Sequence, residues 1–126
     1  MKAIKQNIPT GDRKILKGDT FTLRLNVEVE DGDPKDLTGA DIHFGVANYP
    51  GSSFLIEKEV GDGVTIDEPL QGEASIKIDS EDTRFLSITE SRRFWYRVKV
   101  TDLQENTATV ASGYITVYDD EYIGEQ

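Results

Sequence analysis

Residues 20–30, "TFTLRLNVEVE", alternate without a break: Phe21, Leu23, Leu25, Val27 and Val29 are apolar, while Thr22, Arg24, Asn26, Glu28 and Glu30 are polar. A helix would scatter five side chains at that spacing around its circumference, whereas a strand puts them on one face. The stretch therefore reads as a half-buried strand, and the same period recurs along the chain. Ile42, Phe44 and Val46 repeat it, as do Ala74, Ile76 and Ile78, and then Phe94, Tyr96, Val98 and Val100. Shorter runs at 54–60 and 64–67 complete the middle. Turn residues separate the runs: "GD" at Gly18, "DGDP" at Asp31, "YPGSS" at Tyr49, "GDG" at Gly61 and "EPLQG" at Glu68. Seven or eight short strands punctuated in this way predict an all-β, antiparallel β-sandwich of two sheets. One short helical turn is expected at 80–86, "SEDTRFL", where a polar cap and two acids precede an apolar pair.

The chain of 126 residues makes one domain, 1–126, with a short N-terminal arm (1–12) and an acidic C-terminal end (119–126, "DDEYIGEQ"). Fourteen Lys and Arg against 24 Asp and Glu give a net charge of −10. That balance argues against a nucleic-acid backbone or an anionic membrane as the main partner, since both require clustered positive charge. Without cysteine there are no disulfides, thiolate metal sites or cysteine nucleophiles. The first residues, "MKAIKQNIPTGD", lack the apolar core of a signal peptide, and no run is long enough to span a bilayer. The expectation is a soluble protein made in the cytoplasm.

Chemistry has little to build on. His43 is the single histidine, so neither a nucleophile–base pair nor a zinc site has its usual donors. Its place between Ile42 and Phe44 puts it on the solvent side of a strand. No phosphate-cradling glycine loop is present, and neither a cofactor nor an enzymatic activity is expected. The acidic stretch "EDGDPKDLTGAD", Glu30–Asp41, fails the helical calcium-loop template. Counting from Asp31 and Asp33, the fifth position is Lys35, the sixth is Asp36 instead of glycine, and the twelfth is Ile42. It reads better as a turn. Pro34 fixes its own φ, Leu37 plugs one end of the core, and Gly39 adopts a backbone conformation that other residues resist. A weak, non-helical calcium site at Asp31, Asp33 and Asp36 is the alternative.

The last strand changes phase. Val110 is even-numbered whereas Ile115 and Val117 are odd, so a β-bulge or a sheet switch is expected at 111–113, with Gly113 as the candidate bulge. Beyond the break Tyr114, Thr116 and Tyr118 point away from the core, as do Trp95, Arg97 and Lys99 on the preceding strand. A hairpin around "LQENT" would then gather Trp95, Tyr114 and Tyr118 near Arg97 on one outer face. Rigid aromatics beside a cation suit a contact surface, and cross-strand stabilisation of the sheet is the plainer account.

Three segments stand in a telling order: "KGDTFTLRLNVEVEDGDPKDLTGADIHFGV", "GEASIKIDSEDTRFL" and "FWYRVKVTDLQENTATVASGYITVYDD". With "GDT" opening the first long strand, "DLTGA" at the corner, then "WYRVKVTD" and "ASGYITV", the chain resembles a family of small phage tail and baseplate domains. It is similar to the N-terminal immunoglobulin-like domain of siphophage upper baseplate proteins and to related prophage proteins, over about residues 17–119. The resemblance implies an immunoglobulin-like sandwich that serves as a non-enzymatic structural part of a virion. Its partners would be other tail or baseplate proteins, or itself as a homo-oligomer. In the larger relatives linker and partner-binding segments follow the domain, whereas this sequence stops at Gln126, so host-receptor binding is not part of the implication. The competing expectation is a stand-alone adhesion or carbohydrate-binding module that uses the same aromatics.

Overall fold

The computed structural model describes residues 4–7, 15–29, 32–84, 86, 88 and 90–119. Nine strands form among the described residues: β1 (Ile4–Asn7), β2 (Ile15–Leu16), β3 (Phe21–Val27), β4 (Asp41–Ala47), β5 (Phe54–Val60), β6 (Gly63–Glu68), β7 (Glu73–Ile78), β8 (Ser91–Thr101) and β9 (Thr107–Tyr118). They join in the order β1-β3-β7-β6-β5-β4-β8-β9-β2 as one sheet, nearly closed on itself around a single core. Leu23, Leu25 and Val27 of β3 point into that core, while Thr22, Arg24 and Asn26 are exposed. Registry puts Leu23 beside Ile76 and Leu25 beside Ala74, and pairs Phe44 with Val98 across β4 and β8. The period-two pattern thus marks the buried face of each long strand.

Two features depart from a purely antiparallel arrangement, and the sheet is mixed. Ile15 and Leu16 of β2 run parallel to Val117 and Tyr118 of β9. At the other departure Glu59 and Val60 of β5 pair in parallel with Gly63 and Val64 of β6. There the chain wraps through Gly61 and Gly63 at φ 90° and 96°, turning a corner instead of a hairpin. This two-residue pairing links β1-β3-β7-β6 to β5-β4-β8-β9-β2. Part of the expected N-terminal arm, Ile4–Asn7, is paired with β3 as β1. Of the acidic end, only Asp119 falls within the described residues.

The expected helical turn forms as α1 (Ser80–Arg84). Asp82 caps it by accepting from the Asp79 N–H at 2.7 Å and also pairs with Lys58 Nζ of β5 at 2.9 Å. Buried Thr83 accepts from the Gly18 N–H through Oγ1, which ties the loop before β3 to the helix. The bulge in β9 lies at Val110, not at Gly113. Val98 pairs with Ala111 and Lys99 with Thr109, so Val110 is the extra residue, and Val110 and Ala111 are buried in succession. Gly113 stays in register opposite Tyr96, where a Cβ would press on the tyrosine ring at 3.3 Å. It makes room for a core aromatic.

The Asp36–Ala40 corner is built from specific bonds. Asp36 Oδ1 accepts from the Thr38 N–H at 2.9 Å and from Thr38 Oγ1 at 2.6 Å, which draws its carboxyl below the usual carboxylate range. Leu37 is wholly buried, and its N–H donates to the Pro69 carbonyl at 2.9 Å. Gly39 has φ 71° and lies under Leu103, against which a Cβ would sit at 2.7 Å. Asp31 is outside the described residues, and no group of three or more metal-binding side chains occurs among those described.

A second carboxylate organises the β8–β9 turn. Asp102 Oδ1 accepts from the backbone N–H of Asn106 and of Gln104, at 2.9 and 3.0 Å, and Oδ2 accepts from Lys35 Nζ at 3.0 Å. The Asn106 amide and then the Lys35 ammonium lower its pKa to about 2. A depressed carboxylate stabilises the fold above its unfolded pKa of about 4, and that contribution is lost as pH falls toward the folded value. The melting-temperature advantage of wild type over Asp102→Asn is therefore expected to shrink between about pH 5 and pH 2. An advantage constant across that range would contradict the assignment.

Candidate functional site

The outer face of β5-β4-β8-β9 carries most of the residues singled out in the sequence. Cross-strand registry lays Phe54, Ala47, Trp95 and Tyr114 in one row, with Glu57, Gly45, Arg97 and Ser112 in the next. The following row is Glu59, His43, Lys99 and Thr109. Trp95, Arg97 and Tyr114 are thus brought together. Tyr118 is set apart: it pairs with Ser91 at the far end of the hairpin, about 13 Å along the strand from Tyr114.

Phe54 is the centre of this patch, a residue that sequence pattern alone does not single out. Its ring stacks on Trp95 with centroids 6.5 Å apart and an interplanar angle of 10°. The His43 ring is tilted against it with centroids 5.5 Å apart, and the Arg97 guanidinium carbon lies 4.9 Å from its centroid. Gly45 lets the ring lie flat across β4, because a Cβ there would overlap Phe54 Cε1. A register shift between Val46 and Ala47 leaves Leu55 without a partner, so Phe54 faces outward although Ile56, two residues on, is buried. The hint was a glycine in mid-strand, which marks a close approach. Which group approaches it does not follow from that hint.

The arginines of β8 lie over aromatic rings. Arg93 lies over the Tyr114 ring at 4.4 Å, and Arg97 lies over Phe54 with its Nε buried and without a hydrogen-bond partner among the described residues. His43 Nε2 is 3.0 Å from Glu57 Oε1 at the margin of the patch. Beside it, His43, Glu57, Glu59 and Asp62 line an open polar groove of about 270 Å³. Tyr114 is 47% exposed, so the patch presents an aromatic surface to its surroundings.

No protein-family model and no curated protein matches this chain. No helix among the described residues is long and apolar enough to cross a membrane.

Proposed function

We propose that this protein is a non-enzymatic structural component of a phage or prophage tail or baseplate, which assembles through the outer face of β8 and β9. The fold proposed with it is an immunoglobulin-like sandwich, its layers β1-β3-β7-β6 and β5-β4-β8-β9-β2 meeting at the two-residue β5–β6 corner. In favour of this reading, the inward side chains of both strand sets share one core. The partners are other tail proteins or further copies of the chain, with the product carried on the virion.

The observation that carries the proposal is the Phe54–Trp95–Tyr114 row with Arg93 and Arg97 stacked on it. Aromatic and arginine side chains already ordered by their neighbours lose little freedom on association, and such residues dominate interface energetics. The stacking of Trp95 on Phe54 weighs against a sugar-binding platform, which would use an open ring face. Trp95→Ala combined with Tyr114→Ala is expected to weaken self-association, or association with proteins encoded by neighbouring genes, by more than about tenfold without unfolding the chain. Light scattering on purified mixtures checks this. A wild type that stays monomeric with every such partner, or a variant that assembles as well as wild type, would overturn it.

A further inference from the structure

Within a chain holding 24 acidic residues, Arg93, Arg97 and Lys99 make no ion pair with any described residue. They alternate with Trp95 along the outer face of β8, and the facing positions of β9 are Thr109, Ser112, Tyr114 and Thr116. No carboxylate interrupts this strip, although the next strands carry Asp41, Glu57 and Glu59. We propose that the strip is a docking surface for an extended, carboxylate-bearing segment of a partner protein, a deduction that rests on the assembly reading above.

The geometry favours carboxylates. A guanidinium stacked on a ring uses its flat face, which leaves its N–H groups in the plane to meet acceptors side-on, as a carboxylate does in a bidentate pair. Arg93 and Arg97 both lie over a ring, their guanidinium carbons 4.4 and 4.9 Å from the centroids of Tyr114 and Phe54. Their Cα atoms lie about 13 Å apart along an extended strand, so an extended partner would offer acids at i and i+4, with a third at i+6 for Lys99. The residue at i+2 would rest on the Trp95–Tyr114 row. Aromatics beside arginines also suit single-stranded nucleic acid. Against that, the net charge of −10 repels both kinds of polyanion alike, whereas the cations of the strip repeat at the two-residue period that an extended peptide shares.

Trp95 is the only tryptophan, so its emission reports on the strip directly. Titration with an octaglutamate peptide is expected to shift that emission saturably. The apparent affinity should fall at least about tenfold between roughly 50 and 500 mM salt, as screening requires for surface charges. Arg93→Gln with Arg97→Gln should abolish the response while leaving the circular dichroism spectrum unchanged, and octathymidylate should give none in wild type. An octaglutamate response that is absent, insensitive to salt or unchanged in the double variant would overturn the proposal, as would tighter binding of octathymidylate. Assembly seen by light scattering alongside any of those failures would leave the interface reading standing and remove only the acidic partner.

Discussion

Leu37→Ala is expected to lower the unfolding free energy by about 2–5 kcal/mol, the range for emptying a core leucine site. The side chain is wholly buried, and two backbone anchors prevent the corner from closing over the space it would leave. One is the Leu37 N–H bond to the Pro69 carbonyl, and the other is the Asp36 side-chain bond to the Thr38 N–H. Lys35 adds a third tie, through its N–H to the Val27 carbonyl and its ammonium to Asp102. A corner pinned on both sides of the deletion cannot collapse, which places the expected loss in the upper part of that range. Chemical denaturation of wild type and variant measures it. A loss below about 0.5 kcal/mol would show that the corner relaxes freely and that Leu37 is not its plug.

Gly72→Ala is expected to cost about 3 kcal/mol or more, from left-handed strain and a backbone clash together. Gly72 follows the 3-10 turn Pro69–Gln71 with φ 68° and ψ 23°, a conformation that costs an L-residue roughly 1–2 kcal/mol. A Cβ at this position would also overlap the Val27 carbonyl oxygen and approach the Lys35 backbone at 3.1 Å. Carbonyls in a hydrogen-bonded ladder cannot swing aside as a flexible side chain can. The Val27 N–H donates to the Gly72 carbonyl at 2.8 Å, so relief at one contact strains another. Gly51→Ala is the control, because it shares a positive φ of 91° but has open space around its Cβ position. If the two variants melt together, the clash contributes nothing and strain alone explains both.

The strands were legible in the sequence because burial on one face imposes a period of two that nothing else in the chain imitates. Phe21 to Val27 and Phe94 to Val100 needed no further information. The phase break in β9 was legible as well, yet its position was not. A bulge shifts the pattern wherever the extra residue falls, and the glycine that drew attention serves the Tyr96 ring two residues beyond Ala111. In β5 the bulge at Leu55 concealed Phe54, since an aromatic two residues before a buried isoleucine reads as part of the same inward face. Parallel pairing of β2 with β9 could not be read from two residues, and Asp102 looked like any other turn aspartate. Its role depends on Lys35, which is 67 positions away in the chain. Local pattern therefore revealed the strands, while the makeup of the outer patch depends on registry between strands distant in sequence.

Site-directed photo-crosslinking tests most directly the proposed assembly through the outer face of β8 and β9. A benzophenone amino acid placed at Tyr114 should yield a specific adduct with a protein encoded by a neighbouring gene or a second copy of the chain. The same probe at Lys77, exposed on the outer face of β7 on the far side of the core, should yield none. Adducts from position 114 alone are the predicted result. Adducts from position 77 with none from 114 would contradict it and move the interface to the opposite face.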